Sequence, residues 1–188
     1  MGVLFMLILA IALGLAVLIQ NRPGAFRVTR SATIHAPAHV VFANINELRK
    51  WDAWSPWAKL DPSASNSFDG PAAGVGAAMS WAGNNKVGVG RMAITESRPD
   101  QYVRFALDFK KPMQASNVAE FTLTPKDGAT DVTWTMSGTN GFIGKAFDLF
   151  MSCDKMVGGQ FEKGLESLKA IAEAAAHQLG DSSTPPAA

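Results

Sequence analysis

Hydrophobic and polar positions divide the chain into three patterns. From Val3 to Ile19 no side chain is charged or polar. From Phe26 to about Met136, apolar residues alternate with polar ones in short runs separated by turn residues. From Met156 onward, apolar residues recur every third or fourth position. These patterns predict different elements, because side chains share a face every second residue on a strand and every 3.6 residues on a helix.

The first run predicts a helix. At ~1.5 Å per residue it spans about 25 Å, at the short end of what crosses a hydrocarbon core about 30 Å thick. Gln20-Asn21-Arg22-Pro23-Gly24 ends it. The competing reading is a cleaved signal peptide, which carries basic residues before the apolar run and a small-residue cleavage site after it. Neither is present, so residues 1–21 are expected to form a retained, single-pass transmembrane anchor. Arg22, Arg27 and Arg30 follow it, and positive charge beside a span favours the cytoplasmic side for the domain.

The alternating stretch begins with Phe26, Val28, Ala32 and Ile34, a half-buried strand. Ala36-Pro37 opens a short helix with Val40, Val41, Phe42 and Ile45 on its apolar side, and a helical turn follows around Glu47 to Trp51. A Pro-, Gly- and Ser-rich stretch to Gly76 reads as a loop. Strands are expected at Ala77 to Trp81 and at Lys86 to Ser97, with Gly88 and Gly90 as kinks. Three more are marked by Val103, Phe105, Leu107 and Phe109, then Ala119, Phe121 and Leu123, then Val132, Trp134 and Met136. Short turns between them predict an antiparallel meander. Met156 or Val157, then Phe161, Leu165, Leu168 and Ile171, predict an amphipathic helix from near Asp154 to near Gly180. The Ser/Pro/Ala-rich residues 181–188 are expected to be disordered. The fold class is therefore α+β: a curved antiparallel sheet around a long C-terminal helix, preceded by one transmembrane helix. Residues 22–180 form the domain. Unless side chains fill it, the space between helix and sheet is a cavity.

Composition narrows the function. The 188 residues suit an anchor and one domain. A net charge of +1 with no dense Lys/Arg cluster argues against nucleic acid. Cys153 is the single cysteine, so no internal disulfide forms; it reads as a buried or inert thiol. His35, His39 and His177 are too few for a zinc site. Gly70, Gly74 and Gly76 are not followed by the helix start that a dinucleotide site needs. No cofactor and no metal are expected.

Thr33-Ile34-His35-Ala36-Pro37-Ala38-His39-Val40-Val41-Phe42 resembles the strand-to-helix junction I-x-A-P-x-x-V-F of the START-like, helix-grip superfamily (SRPBCC, or START/Bet v 1-like; the polyketide cyclase/dehydrase and lipid-transport group). Trp51-Asp52-Ala53-Trp54-Ser55-Pro56-Trp57, followed by Asp61-Pro62, resembles its W-x-x-W-S-P-W…D-P stretch, and residues 159–169 resemble the start of its long helix. The resemblance covers roughly residues 26–176. It implies the helix-grip fold and a cavity for an apolar molecule; it implies no particular catalytic constellation.

Candidate ligand-binding residues follow from aromatic and Met content on the expected inner faces: Trp54, Trp57, Trp81, Phe105, Leu107, Phe121, Trp134, Met136, Phe147, Met151 and Phe161. For each, an ordinary core position is the plainer alternative. Arg91 interrupts the apolar set Val87, Val89 and Ala93; it is either a cavity cation for a ligand carboxylate or an exposed residue at a bulge. Asp52 either caps a turn or serves a ligand. Three functions fit: a membrane-held binding domain for an apolar small molecule or lipid, a cyclase-like enzyme on an aromatic substrate, or a protein-interaction module with a filled core. Catalysis is open, with no catalytic residue assigned.

Overall fold

The computed structural model describes residues 2–150 and 153–182. Helix α1 (Gly2–Asn21) is followed by strand β1 (Ala25–Ile34), helix α2 (Ala38–Asn46), a 3-10 turn (Leu48–Lys50) and the single-turn helix α3 (Trp51–Trp54). Strands β2 (Ser65–Asp69), β3 (Ala78–Ala82), β4 (Val89–Arg98), β5 (Tyr102–Lys111), β6 (Ala115–Lys126) and β7 (Ala129–Thr139) come next, then helices α4 (Phe142–Phe150) and α5 (Cys153–Ser182). The strands form one antiparallel sheet in the order β1-β7-β6-β5-β4-β3-β2. β1 closes onto β7 while β2 to β7 meander, and α5 packs across the concave face, mainly on β1. This is the expected α+β helix-grip architecture, with the C-terminal helix within two residues of its expected ends.

Local chemistry explains the elements. Pro37 sits at φ −60° just before α2, and its carbonyl accepts the Val40 and Val41 N–H groups. Inward rows are the apolar ones: Val103 and Phe105 on β5, Ala119, Phe121 and Leu123 on β6, and Val132, Trp134 and Met136 on β7 are all buried. The outward rows are polar and laced by hydroxyls, as in Thr29 with Thr135 and Ser31 with Thr133.

Four expectations need correction. The Pro/Gly/Ser-rich stretch contains β2; its residues Ser65, Asn66, Ser67 and Asp69 carry no apolar alternation, and the strand exists because β3 offers it an edge. Helix α4 occupies a stretch where no helix was expected. Gly88 lies in the turn before β4, at φ +74°, rather than inside the strand. The apolar row of β4 is Gly90, Met92 and Ile94, so Val89, Arg91 and Ala93 face outward; the pattern had the right period and the wrong phase.

A candidate ligand cavity

One half of the concave space is packed solid. Trp51 and Trp54, on α3, lie with ring centroids 4.6 Å apart, and Trp51 meets Phe105 edge-on at 5.3 Å. Phe121 stacks on Trp134 at 4.7 Å, and Trp134 stacks on Phe161 of α5 at 4.0 Å. The last turn of α2 leaves carbonyls without intrahelical partners. The indoles use them: Trp51 Nε1 donates to the Ile45 carbonyl at 2.9 Å and Trp54 Nε1 to the Asn44 carbonyl at 3.1 Å. Trp51 and Trp54 are thus buried without stranded indole N–H groups.

The other half is open. A cavity of about 460 Å³ lies between α5 and the sheet. At about 30 Å³ per water this is on the order of fifteen water volumes, far beyond the water-sized gaps of a packed interior. Its apolar wall is built by Met79 and Trp81 on β3, Met92 on β4, Leu107 and Phe109 on β5, Met136 on β7, and Val157 and Phe161 on α5. Trp57, in the loop after α3, covers one side, and Trp51 and Trp134 form the boundary with the packed half. Gly90 makes the wall possible: a Cβ there would stand 2.4 Å from Trp81 Cζ2, so the glycine is the seat for the indole. Trp81 Nε1 donates to the Val87 carbonyl at 3.3 Å. The Trp134 indole N–H is buried without a hydrogen-bond partner among the described residues.

Of the residues singled out from sequence, Trp57, Trp81, Leu107, Trp134, Met136 and Phe161 come together around this cavity. Trp54, Phe105 and Phe121 lie in the packed half, each fully buried. Arg91 is exposed on the convex face, across from Ser80 and Asp108 on the neighbouring strands. Phe147 is exposed on α4, away from the cavity, and Met151 and the Cys153 side chain lie outside the described residues. Sequence reasoning missed Met79, Met92, Phe109 and Val157. The first two were hidden by the phase of β4 and by treating β3 only through Trp81. Phe109 was assigned to its strand's apolar row and could have been carried onto the wall.

The cavity has one polar corner, made by Asp52, Ser55, Asp61 and Asn66. Asp52 is exposed at the rim and accepts a hydrogen bond from Asn66 Nδ2 at 3.0 Å, tying α3 to β2. Asp61 is buried, with both oxygens engaged. Oδ1 accepts from the Ser63 hydroxyl at 2.6 Å and the Ser63 N–H at 3.1 Å; Oδ2 accepts from the Asn84 N–H at 2.6 Å. The Ser63 hydroxyl, then the Asn84 N–H, hold its carboxyl below the usual range, which makes it a structural anion rather than a proton donor. It joins the loop before β2 to the β3–β4 turn, two walls of the cavity.

Arg30 fastens α5 over this space. It lies on the inward row of β1, with Nη1 2.9 Å from Asp154 Oδ1 and Nε 2.6 Å from Glu162 Oε1. Its guanidinium lowers the Asp154 pKa. Gly158 lies against it, where a Cβ would come within 2.0 Å of Arg30 Nη2. At the far end, Glu173 accepts from Lys169 Nζ and the His35 N–H, and the Lys169 bond leads in lowering its pKa. Among the described residues no cluster of His, Cys, Asp and Glu is arranged to hold a metal; His35 and His39 are exposed at the β1–α2 junction.

A long helix gripped by a curved sheet, with an aromatic-walled cavity between them, defines a helix-grip cavity protein. The chain belongs to the polyketide cyclase / dehydrase and lipid transport family, whose sequence profile matches residues 25–173. No curated protein matches it in sequence. Among solved structures it is similar to protein Mll3558 from Rhizobium loti (19% identity, TM-score 0.59, covering 78% of this chain and 96% of that one). It is similar to Ara h 8.0201 (13%, TM-score 0.52, 82% and 99%). It is also similar to the di-domain ARO/CYC StfQ of the steffimycin biosynthetic pathway (10%, TM-score 0.60, 81% and 52%). At these identities the likeness is one of fold. The family and fold are those of a ligand-binding domain in general.

Proposed function

We propose that this chain is a membrane-anchored binding domain for one small apolar molecule held between α5 and the sheet. The observation that carries the reading is the cavity of about 460 Å³, within the range of about 300–1,000 Å³ usual for ligand sites. Trp57, Trp81, Leu107, Trp134, Met136 and Phe161 are its proposed ligand contacts. A ring system burying about 150–250 Å² gains roughly 4–6 kcal/mol at about 25 cal/mol per Å², before ordering costs. The volume suits one ring system or one chain rather than a two-chain phospholipid. Residues 1–21 serve as the anchor, keeping the domain where apolar molecules dissolve.

A cyclase-like reaction, the activity in the name of StfQ, is the second reading. Asp52, Ser55 and Asn66 would be its polar groups, since Asp61 is held ionised. The filled-core interaction module loses its basis, because a protein-binding role needs no empty space of this size.

Native mass spectrometry with solvent extraction, on residues 22–188 from a bacterial cytoplasm, tests the proposal. A co-purifying apolar molecule near one per chain supports it, and Ala119→Leu, which fills the cavity from β6, is expected to abolish retention. An empty wild-type domain that also ignores added fatty acids, isoprenoids and aromatic polyketides would sink it.

A further inference from the structure

Helix α4 turns its apolar side chains toward solvent. Phe142, Ile143, Phe147 and Leu149 are 48%, 58%, 57% and 40% exposed, while Lys145 projects elsewhere and donates from Nζ to the Gln20 carbonyl at 3.1 Å. Gln20 is in the last turn of α1, the helix long and apolar enough to cross a membrane. The Asn140 N–H donates to the Gly24 carbonyl at 2.8 Å just before α4 begins. α4 is therefore held against the end of α1. If α1 spans a bilayer, α4 lies at the level where the acyl chains meet the headgroups.

The strand register places more of the molecule at that level. Ala25 of β1 pairs with Thr139, Ala115 with Phe109, Val89 with Lys111 and with Ala82, and Ala82 with Ser65. These residues mark one edge of the sheet, which carries the β3–β4 and β5–β6 turns. Met113, 41% exposed, sits in the latter turn. Arg22, Lys86, Lys110 and Lys111 are exposed at the same edge, and none is in an ion pair among the described residues. The opposite edge carries Asp69, Asp100 and Asp127. The cavity also belongs to the first edge: Trp81, Val87, Phe109 and Val157 line it there, while Phe105 and Phe121 close the space farther in.

We propose that this edge docks on an anionic bilayer surface. α4 lies in the interface with Phe142, Ile143 and Phe147 in the acyl boundary, Met113 makes a second apolar contact, and the four cations meet lipid phosphates. An amphipathic helix with cations beside its apolar face binds anionic membranes in this way. The cavity then opens onto the membrane, so an apolar molecule reaches it without crossing water. The inference rests on α1 being the anchor and is independent of which ligand is bound.

The test uses the full chain with Cys153→Ser, reconstituted in phosphatidylcholine/phosphatidylglycerol vesicles. An environment-sensitive fluorophore is placed singly through Ile143→Cys, Met113→Cys, Leu13→Cys or, at the opposite edge, Val75→Cys. These sites are exposed, so folding is not at risk. Labels at 143 and 113 are expected to shift to the blue, to be quenched by doxyl-labelled lipid, and to lose most of their iodide quenching; the label at 75 is expected to do the reverse. Quenching at 143 is expected to fall at least two-fold in neutral vesicles. A label at 143 open to iodide and blind to doxyl lipid overturns the proposal. Protection from both quenchers also overturns it, because protein rather than lipid then covers α4. The label at 13 distinguishes the causes: doxyl quenching there with none at 143 means that the anchor holds and the docking is wrong. None at either site means that the anchor itself is absent. Equal quenching at 143 in neutral and anionic vesicles overturns the role of the cations.

Discussion

Between α5 and the sheet, the half beneath α2 and α3 is filled with rings, whereas the half toward the β3–β4 and β5–β6 turns holds a cavity of about 460 Å³. Both halves are lined by tryptophan and phenylalanine, with methionine (Met79, Met92, Met136) only on the open side, so aromatic content does not separate them. What differs is what faces the sheet. In the closed half α3 lowers Trp51 and Trp54 onto Phe105 and Phe121. In the open half the chain after Trp54 runs as a loop along the rim, where Ser55, Trp57, Ala58, Asp61, Pro62 and Ala64 line the cavity. The closed half supplies rigidity that lets the open half stay empty, since a packed interior resists collapse into a neighbouring void.

The comparison breaks first under truncation. Trp54→Ala, in the closed half, is expected to cost about 3–5 kcal/mol in urea unfolding, whereas Leu107→Ala at the cavity wall costs about 2 kcal/mol or less. Equal costs would mean that the two halves share one continuous core. Next in size is occupancy: a ligand at about 100 times its dissociation constant adds about 2.7 kcal/mol, read as a rise in Tm that Ala119→Leu abolishes. Gly90→Ala sharpens the comparison by moving Trp81 off its seat. It is expected to cost about 1–3 kcal/mol as overpacking and to weaken ligand retention, while leaving the near-ultraviolet signal of the Trp51/Trp54 cluster unchanged.

The smallest effect is acid loosening of the open half. The Asp61 pKa is lowered in the folded state by the Ser63 hydroxyl and the Asn84 N–H. A depressed carboxyl contributes stability that is complete above its unfolded pKa of about 4 and is lost as pH falls through the lower, folded value. Ligand retention is therefore expected to be flat from neutral pH down to about 4 and to drop below that. Asp61→Asn, measured at neutral pH, is expected to resemble the wild type in acid.

The sequence made the frame legible because periodicity depends only on which residues face a core. The inward rows of β5, β6 and β7 and the stripe of α5 were readable residue by residue, and the strand-to-helix junction at Pro37 marked the fold. β2 was not legible, because an edge strand of Ser, Asn and Asp takes its conformation from its neighbour rather than from its own alternation. α4 was hidden by its shortness and by Gly144. Arg91 was left undecided between cavity and surface for a sharper reason: both faces of β4 carry apolar residues, and a one-residue change of phase exchanges inside for outside.

The candidate site was half legible. Trp51, Trp54 and Trp57 stand at even spacing, yet two are core and one covers the cavity, because α3 ends at Trp54 and Pro56 redirects the chain. Local pattern therefore determined the anchor-length helix, the strands other than β2, the long helix and the family likeness. Only the tertiary structure decided which apolar side chains meet one another and which face empty space. That choice depends on the distance between surfaces brought together from far along the chain, and hydrophobicity drives burial without specifying the partner.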